Sequence, residues 1–269
     1  MKIAIIAGSG NFPIQIATEN KEAFVLCIQG YSCSSSFINK SETVSLLDPF
    51  YWLTILKAND ITHVVMAGKI NRPSNIKNLS NKKTLELIKK ISYVGDNSAL
   101  NYIQEFFNNN GFKLLPVNAI LKDCFFSKGF FNEESFSKTL KDFVSTNADF
   151  GVHLLNAISK FDVGQSVVVL NKLVYAIESL EGTNSMIDRV ETLYSKLENY
   201  NGFGPVLVKI PKIGQNSNLD LPVIGLETVK KCYELGFSSI VVSSTGTLIV
   251  DLKKVITYIK KNKFCIYAI

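Results

Sequence analysis

The chain has 269 residues, 46% of them hydrophobic and 19% charged, and a formal net charge of +6. That length accommodates one large or two ordinary domains, and the composition is globular rather than disordered or fibrous. The positive charge lies on dispersed lysines with no Arg-rich helix or basic-aromatic repeat. This argues against nucleic-acid binding and suits anionic small molecules or an anionic membrane face.

KIAIIAGSGNFPIQIATEN opens as a continuous apolar strand, a glycine turn and a helix with Pro13 in its first turn, the start of a Rossmann-like unit. As a dinucleotide fingerprint it fails twice. GSGNFP has two of the three glycines, with Pro13 where the third belongs. The next strand, 23–29, ends in Gln29 and Gly30, where an acidic residue would hold an adenosine ribose. Gly8 and Gly10 then either bring backbone N–H groups to a phosphate or make a tight strand-to-helix turn. Residues 48–59 predict a helix carrying the only tryptophan, Trp52, and HVVMAG (63–68) a second buried parallel strand. Ligands of open α/β sheets sit beyond carboxyl strand ends. Lys69, Asn71 and Arg72 follow such an end as a phosphate clamp or a solvated basic loop. His63, at the opposite end, reads as structural.

Helices are expected over 82–92 and 95–107 and a strand over 112–118. Periodicity is then lost across 122–134, which marks a boundary. The expected fold is α/β: a Rossmann-like N-terminal domain with a parallel sheet, 1–130, and a second α/β domain with a mixed sheet, 131–269. Residues 133–161 read as mostly helical. SVVVLNKLVYAIES then presents two apolar runs about Asn171 and Lys172, a hairpin signature. Its second run delivers Glu178, Glu181, Gly182 and Thr183 to a helix whose apolar stripe is Met186, Val190, Leu193 and Leu197.

A strand over 205–210 feeds a polar loop holding Lys209, Lys212, Gln215, Asn216, Asn218 and Asp220. Pro222 is expected at the first position of a helix over 222–235, where its missing N–H is harmless. Leu221, preceding a proline, is pushed towards an extended conformation. Asp220 is thereby held beside a helix N-terminus, either aimed at chemistry or capping the helix. SSIVVSSTGTLIVD predicts a second hairpin turning near Thr245 and Gly246. A helix with Leu252, Val255, Ile256 and Ile259 on one face and a strand over 264–269 complete the chain.

His63 and His153 are the only histidines, poorly placed for Ser-His-Asp catalysis and without zinc-ligand spacing. Cys27, Cys33, Cys124, Cys232 and Cys265 have no CxxC spacing and mostly lie in apolar runs, so reduced thiols are expected. The N-terminus enters a strand with no signal peptide, and no apolar run approaches the roughly 20 residues of a spanning helix. The expected location is cytoplasmic. What remains is a set of carboxylates (Asp220, Glu178, Glu181, and Asp162 further off) with cationic and amide groups (Lys69, Arg72, Arg189, Lys209, Gln165, Gln215). Carboxylates together with phosphate oxygens are how Mg²⁺ is held. Phosphoryl transfer asks mainly for positioning and charge stabilisation. The set fits hydrolysis of a phosphoanhydride; a nucleotide-dependent oxidoreductase and a non-catalytic acylated-sugar binder are the alternatives.

The chain also resembles the LpxI family of UDP-2,3-diacylglucosamine pyrophosphatases nearly end to end. The likeness lies in IAGSGNFP (6–13), AGKINRP (67–73), GDNSAL (95–100), DVGQSVVV (162–169), AIESLEGTNSMIDR (176–189) and DLPVIG (220–225). The resemblance implies two domains enclosing a lipid substrate. It also implies a divalent-metal-dependent hydrolase that yields UMP and 2,3-diacylglucosamine 1-phosphate in lipid A synthesis. Asp220 matches the catalytic aspartate of the family's DLP motif. The family pattern usually has an acidic residue where this chain has Asn97, Asn184, Asn216 and Ser244, and often a proline at Ile213. Asp220 and Glu181 are therefore the expected ligands of Mg²⁺ or Mn²⁺. Lys69, Arg72, Arg189 and Lys209 are expected at phosphate. Gly8, Gly10, Asn71, Gln165, Glu178, Gly182, Thr183, Gln215, Leu221 and Pro222 complete the expected substrate site. Phe125, Phe126, Phe130 and Phe131 would line an acyl groove or pack the domains together. Peripheral contact with the inner membrane and a homodimer are compatible with this reading.

Overall fold

The computed structural model describes residues 1–71, 81–194, 202–213, 219 and 221–269. These divide into two compact units: Met1–Lys122 with Leu219, and the remaining described chain from Asp123.

The first unit runs β1 (Ile3–Ala7), α1 (Phe12–Glu19), β2 (Phe24–Ile28), β3 (Ser41–Val44), α2 (Pro49–Ala58), β4 (His63–Ala67), α3 (Lys82–Ser92), α4 (Asp96–Asn109) and β5 (Lys113–Leu115). Its five strands pair in parallel in the order β3-β2-β1-β4-β5, the Rossmann arrangement. Strands β1 and β2 are covered on both faces, which is why both read as unbroken apolar runs. Ile6, Leu26, Leu56, Val64 and Phe107 form the centre of the core. Helix α2 starts where the sequence signals it: the Asp48 carboxylate accepts the Tyr51 N–H and Pro49 takes the first helical position. Strand β5 is shorter than expected because Pro116 leads into a 3₁₀ turn over Val117–Ala119.

The second unit runs β6 (Gly129–Phe130), α5 (Lys138–Ile158), β7 (Ser166–Leu170), β8 (Leu173–Ile177), α6 (Thr183–Tyr194), β9 (Val206–Lys209), β10 (Val223–Ile224), α7 (Leu226–Glu234), β11 (Ser239–Val242), β12 (Leu248–Ile249), α8 (Leu252–Asn262) and β13 (Cys265–Ala268). Six strands form a mixed sheet, β6-β13-β11-β9-β7-β8. Strands β13, β11 and β9 are parallel; β6, β7 and β8 each pair antiparallel. The β7–β8 hairpin turns on Asn171 and Lys172, both at positive φ (53° and 59°), as a two-residue turn matched to strand twist requires. Helix α5 covers one face of the sheet through Val144, Ala148 and Leu155. It approaches closely because Gly151 has no side chain: a Cβ there would sit 2.7 Å from Val208 Cγ2. Helices α6, α7 and α8 cover the other face with Met186, Val190, Val229, Val255 and Ile259.

Four expectations change. The helix expected from Pro222 begins at Leu226, with Gly225 as its N-cap. Residues 223–224 instead form β10, which pairs with β12, and the carbonyls of Pro222 and Ile224 accept the N–H groups of Leu248 and Val250. The β-branched pair Val223-Ile224 thus continues as strand. For the same reason the second hairpin does not form, since β12 pairs with β10 and not with β11. On α6, Ile187 replaces Leu193 beside Met186 and Val190; Leu193 is exposed, and Leu197 lies outside the described residues. Finally, of the four phenylalanines expected at a groove or between the domains, Phe126 and Phe131 pack into the second unit's own core and Phe130 stacks on Tyr267.

All five cysteines are free, and Cys27, Cys124, Cys232 and Cys265 are buried. Among the described residues no helix is long and apolar enough to cross a membrane. Met186 is fully buried among α6, the sheet and α7. Its truncation to alanine leaves an unfilled core site, so Met186→Ala is expected to lower unfolding free energy by about 2–5 kcal/mol in urea titration.

Candidate active site

In the first unit the turns after β1 and β4 are locked together. The Gly8 N–H donates to the Ala67 carbonyl (2.8 Å), Ser9 N–H to the Lys69 carbonyl (2.9 Å) and Lys69 N–H to the Ser9 carbonyl (3.2 Å). The Ser9 hydroxyl adds a second donor to the Lys69 carbonyl (2.9 Å). A Cβ on Gly8 would lie 2.8 Å from the Lys69 oxygen, and one on Gly68, at φ +85°, 2.6 Å from the Ser9 oxygen. Gly8 of GSG and Gly68 of AGK therefore serve one backbone contact at adjacent carboxyl strand ends. Gly8 makes the tight turn, with its N–H already bonded. Gly10 differs: at φ +94° it faces open space, beside a depression of about 550 Å³ lined by Asn11, Gly30, Tyr31 and Ser32. Lys69 is exposed at the same strand ends, and the Asn71 carbonyl accepts the Tyr31 hydroxyl at 3.3 Å.

In the second unit the antiparallel pairings gather the start of β7 with the ends of β8 and β9. Ser166 lies opposite Lys209, and Glu178 follows β8 directly. The Glu178 carboxylate accepts the Ser166 hydroxyl (2.6 Å), the Thr183 hydroxyl (2.7 Å) and the Gln165 backbone N–H (3.1 Å). Lys209 Nζ lies 3.5 Å from Glu178 Oε2 and donates to Ser166 (3.3 Å) and to Thr183. Both ionic side chains are buried, 7% and 10% exposed for lysine and glutamate. Gly164 permits this approach, since a Cβ there would meet the Glu178 carbonyl at 2.2 Å. Thr247 supports Lys209 from behind, its hydroxyl donating to the Lys209 carbonyl (2.9 Å) while accepting the Ser243 N–H (3.0 Å). Burial alone would raise the Glu178 pKa. The Lys209 charge, two hydroxyls and one N–H outweigh it and hold the carboxyl below its ordinary 4.5.

Two further pairs among the described residues lie in this region. Glu181 Oε1 accepts from Arg189 at 2.7 Å and Oε2 from Ser179 at 2.8 Å. The Ser179 hydroxyl and the Arg189 guanidinium lower its pKa to about 2. Lys212 pairs with Asp162 at 2.6 Å. Gly182 is at φ +81°, and its carbonyl accepts the Met186 N–H at 3.0 Å. Leu221 is half-buried and Pro222 buried.

Two of the positions where the resemblance led to the expectation of an acidic residue have local reasons to be neutral. Asn184 donates to Glu227 (3.0 Å) and accepts from Thr228 (2.8 Å); an aspartate there would set two carboxylates against each other. Ser244 donates to the Ile269 carbonyl at 2.8 Å, which a carboxylate could not do. Asp220, Arg72, Gln215 and Asn216 lie outside the described residues. Among the described residues no three acidic, His or Cys side chains are grouped to hold a metal. Both Glu181 oxygens are engaged as well, so these residues by themselves do not fit a divalent ion.

The structure thus joins Gln165, Glu178, Thr183 and Lys209 in one network and sets Arg189 with Glu181 beside it. Sequence reading missed Ser166, Gly164 and Thr247. The available signal was a serine opening the otherwise apolar run SVVVL. Breaking a buried pair on one side strands a charge, so Lys209→Met should cost about 3–5 kcal/mol in urea unfolding. Lys209→Met combined with Glu178→Gln should cost less than the sum of the two. Because the folded Glu178 pKa is depressed, its stabilisation is present above the ordinary 4.5 and lost as pH falls through the lower folded value. Stability of Glu178→Gln should accordingly fall less steeply below pH 4.5 than that of the parent.

Comparison with known proteins matches the LpxI N-terminal domain to residues 2–124 and the LpxI C-terminal domain to residues 132–267. A protein of Caulobacter vibrioides named UDP-2,3-diacylglucosamine pyrophosphatase LpxI is 25% identical over 266 residues, covering 95% of this chain and 92% of its own length. With both domain families matched in order over nearly its whole length, the chain belongs to the LpxI family.

Proposed function

We propose that this protein hydrolyses the pyrophosphate of UDP-2,3-diacylglucosamine, releasing UMP and 2,3-diacylglucosamine 1-phosphate, as a step of lipid A synthesis. The observation that carries the reading is the ordered match of both LpxI domains, alongside a relative named for that pyrophosphatase. The geometry adds support at the level of each unit. Lys69 and Gly10 stand at the carboxyl ends of the first sheet, where α/β proteins bind ligands. The Glu178–Lys209 network stands at the corresponding ends of the parallel strands of the second.

In this reading water attacks phosphorus in line with the departing phosphate, and the protein's task is to position the reactants and neutralise charge. Asp220 orients the water or its metal, and the attack falls on the β-phosphorus. Lys69 and Arg72 meet the pyrophosphate charge. Lys209 acts differently from a free cation, because its charge is already balanced by Glu178. The pair holds Thr183 and the Gln165 backbone in place, so both ends of the loop 178–183 are fixed. A requirement for Mg²⁺ or Mn²⁺ belongs to the proposal through Asp220 and the family resemblance. We place the enzyme in the cytoplasm, meeting its lipid substrate at the inner face of the inner membrane.

The test is UMP release from the purified protein with and without EDTA. Release that EDTA suppresses and Mg²⁺ restores is expected; no release, or release indifferent to EDTA, counts against hydrolysis or against the metal respectively. Asp220→Ala should lower turnover about a hundredfold or more while substrate still binds, and near-normal turnover refutes its role. In oxygen-labelled water the label should enter the sugar phosphate and not UMP.

A further inference from the structure

The chain's net charge of +6 is unevenly spread. Residues 226–263, which hold α7, β11, β12 and α8, carry seven lysines against Glu227, Glu234 and Asp251, four of the six excess positive charges. Helix α8, LKKVITYIKKN, buries Val255 and Ile259 against the sheet. At 3.6 residues per turn this directs Lys253, Lys254, Lys260 and Lys261 outward together. All four are exposed, as are Lys230 on α7 and Lys263 after α8. Lys254 pairs with Asp251 and Lys231 with Asp188. Among the described residues no carboxylate lies within ion-pair distance of Lys230, Lys253, Lys260, Lys261 or Lys263. Aromatic rings run through the same face. Tyr233, 40% exposed, stands edge-on to Tyr258 at 5.9 Å and to Phe264 at 6.0 Å. Lys230 Nζ lies 5.8 Å from the centre of the Tyr258 ring and Lys260 Nζ 5.7 Å from that of Phe131, which holds both ammonium groups on the surface of the helix pair.

Lysines set among tyrosines suit either an anionic bilayer or single-stranded nucleic acid. The second needs an open ring on which a base stacks. Here Tyr258 is half-buried, already carries Lys230 and meets Tyr233 edge-on. A bilayer asks for no stacking face: its phosphates take the lysines, and its headgroup layer takes the tyrosine edges. We propose that the α7–α8 face seats the protein on an anionic phospholipid surface. The proposal builds on the membrane setting put forward above and names the side of the second unit that meets it. None of its lysines belongs to the Glu178–Lys209 network or to the groups assigned to the pyrophosphate.

The full-length protein is sedimented with vesicles of phosphatidylcholine containing phosphatidylglycerol, or of phosphatidylcholine alone. Binding to the anionic vesicles only is expected, and its loss in salt at about 1 M, where the screening length is about 3 Å. Each lysine near such a surface is worth about fivefold in affinity. Lys253→Glu, Lys260→Glu and Lys261→Glu together should therefore weaken binding about a hundredfold or more, and arginine at the same three positions should keep it. Should the charge-reversed variant fail to fold, Lys253→Gln, Lys260→Gln and Lys261→Gln serve, and the lipid and salt series on the unaltered protein stand by themselves. In the variants UMP release from substrate dispersed in detergent should be unchanged, and release from substrate carried in anionic vesicles should fall. Equal binding to both vesicles, binding indifferent to salt, or no binding overturns the proposal. Tight binding of a single-stranded oligonucleotide in place of vesicles gives the face to nucleic acid and overturns it as well. Protein that releases UMP without binding vesicles loses the membrane face and keeps the hydrolase. Vesicle binding without UMP release keeps the face and removes the proposed substrate.

Discussion

The second unit is arranged around an ion pair withdrawn from water. Glu178 and Lys209 are both nearly fully buried, and two charges in that setting are tolerated only when every remaining lone pair and proton is met. Ser166, Thr183 and the Gln165 N–H supply those bonds. Gln165 and Ser166 lie together at the start of β7 and Thr183 at the start of α6, so the pair fixes the start of β7, the end of β9 and the first turn of α6 relative to one another. A buried pair is weak evidence for stability as such. Its placement at the carboxyl ends of parallel strands, where these folds bind ligands, explains better why it is there.

The first unit depends on an absence of side chains instead. Gly8 and Gly68 let two turns exchange backbone hydrogen bonds at a separation that no Cβ would allow. The contact joins the ends of β1 and β4, beside a depression rimmed by Gly10 and Gly30. The motif that failed as a dinucleotide fingerprint is thus a packing device. Pro13 fits the same account: its ring approaches Gly68, with Cγ 2.8 Å from where a Cβ would be.

The architecture was legible wherever local pattern decides it. The unbroken apolar runs of β1 and β2, the Asn171-Lys172 turn and the Asp48-Pro49 helix start each follow from a few adjacent residues. The failures share a cause. The pairing of β10 with β12 joins two-residue strands about 25 positions apart, and no periodicity signals so short and distant a contact. The Lys209 network has the same character: Ser166 lies 43 residues from Lys209 and Glu178 lies 31. Spacing identified Glu178 and Lys209 as polar residues of interest, but only the sheet register makes them partners. Three rings of the phenylalanine run that suggested a groove belong to the second unit's own packing.

Register also changes what the charges can do. Arg189 and Lys209 read from sequence as cations for phosphate, yet each has its own carboxylate, Glu181 and Glu178. Both cations are thus balanced within the second unit, and two neutral side chains nearby have partners that suit them. At Asn184 the amide does what a carboxylate cannot, donating to Glu227 while accepting from Thr228. An aspartate there would face Glu227 at hydrogen-bond distance with no proton between them, the repulsive arrangement that forces one carboxyl to protonate. At Ser244 a hydroxyl meets a carbonyl that would repel an anion. At both positions the neighbouring acceptors, Glu227 and the Ile269 backbone oxygen, take a donor that a carboxylate could not supply. An acid at position 184 therefore makes physical sense only together with a change at Glu227.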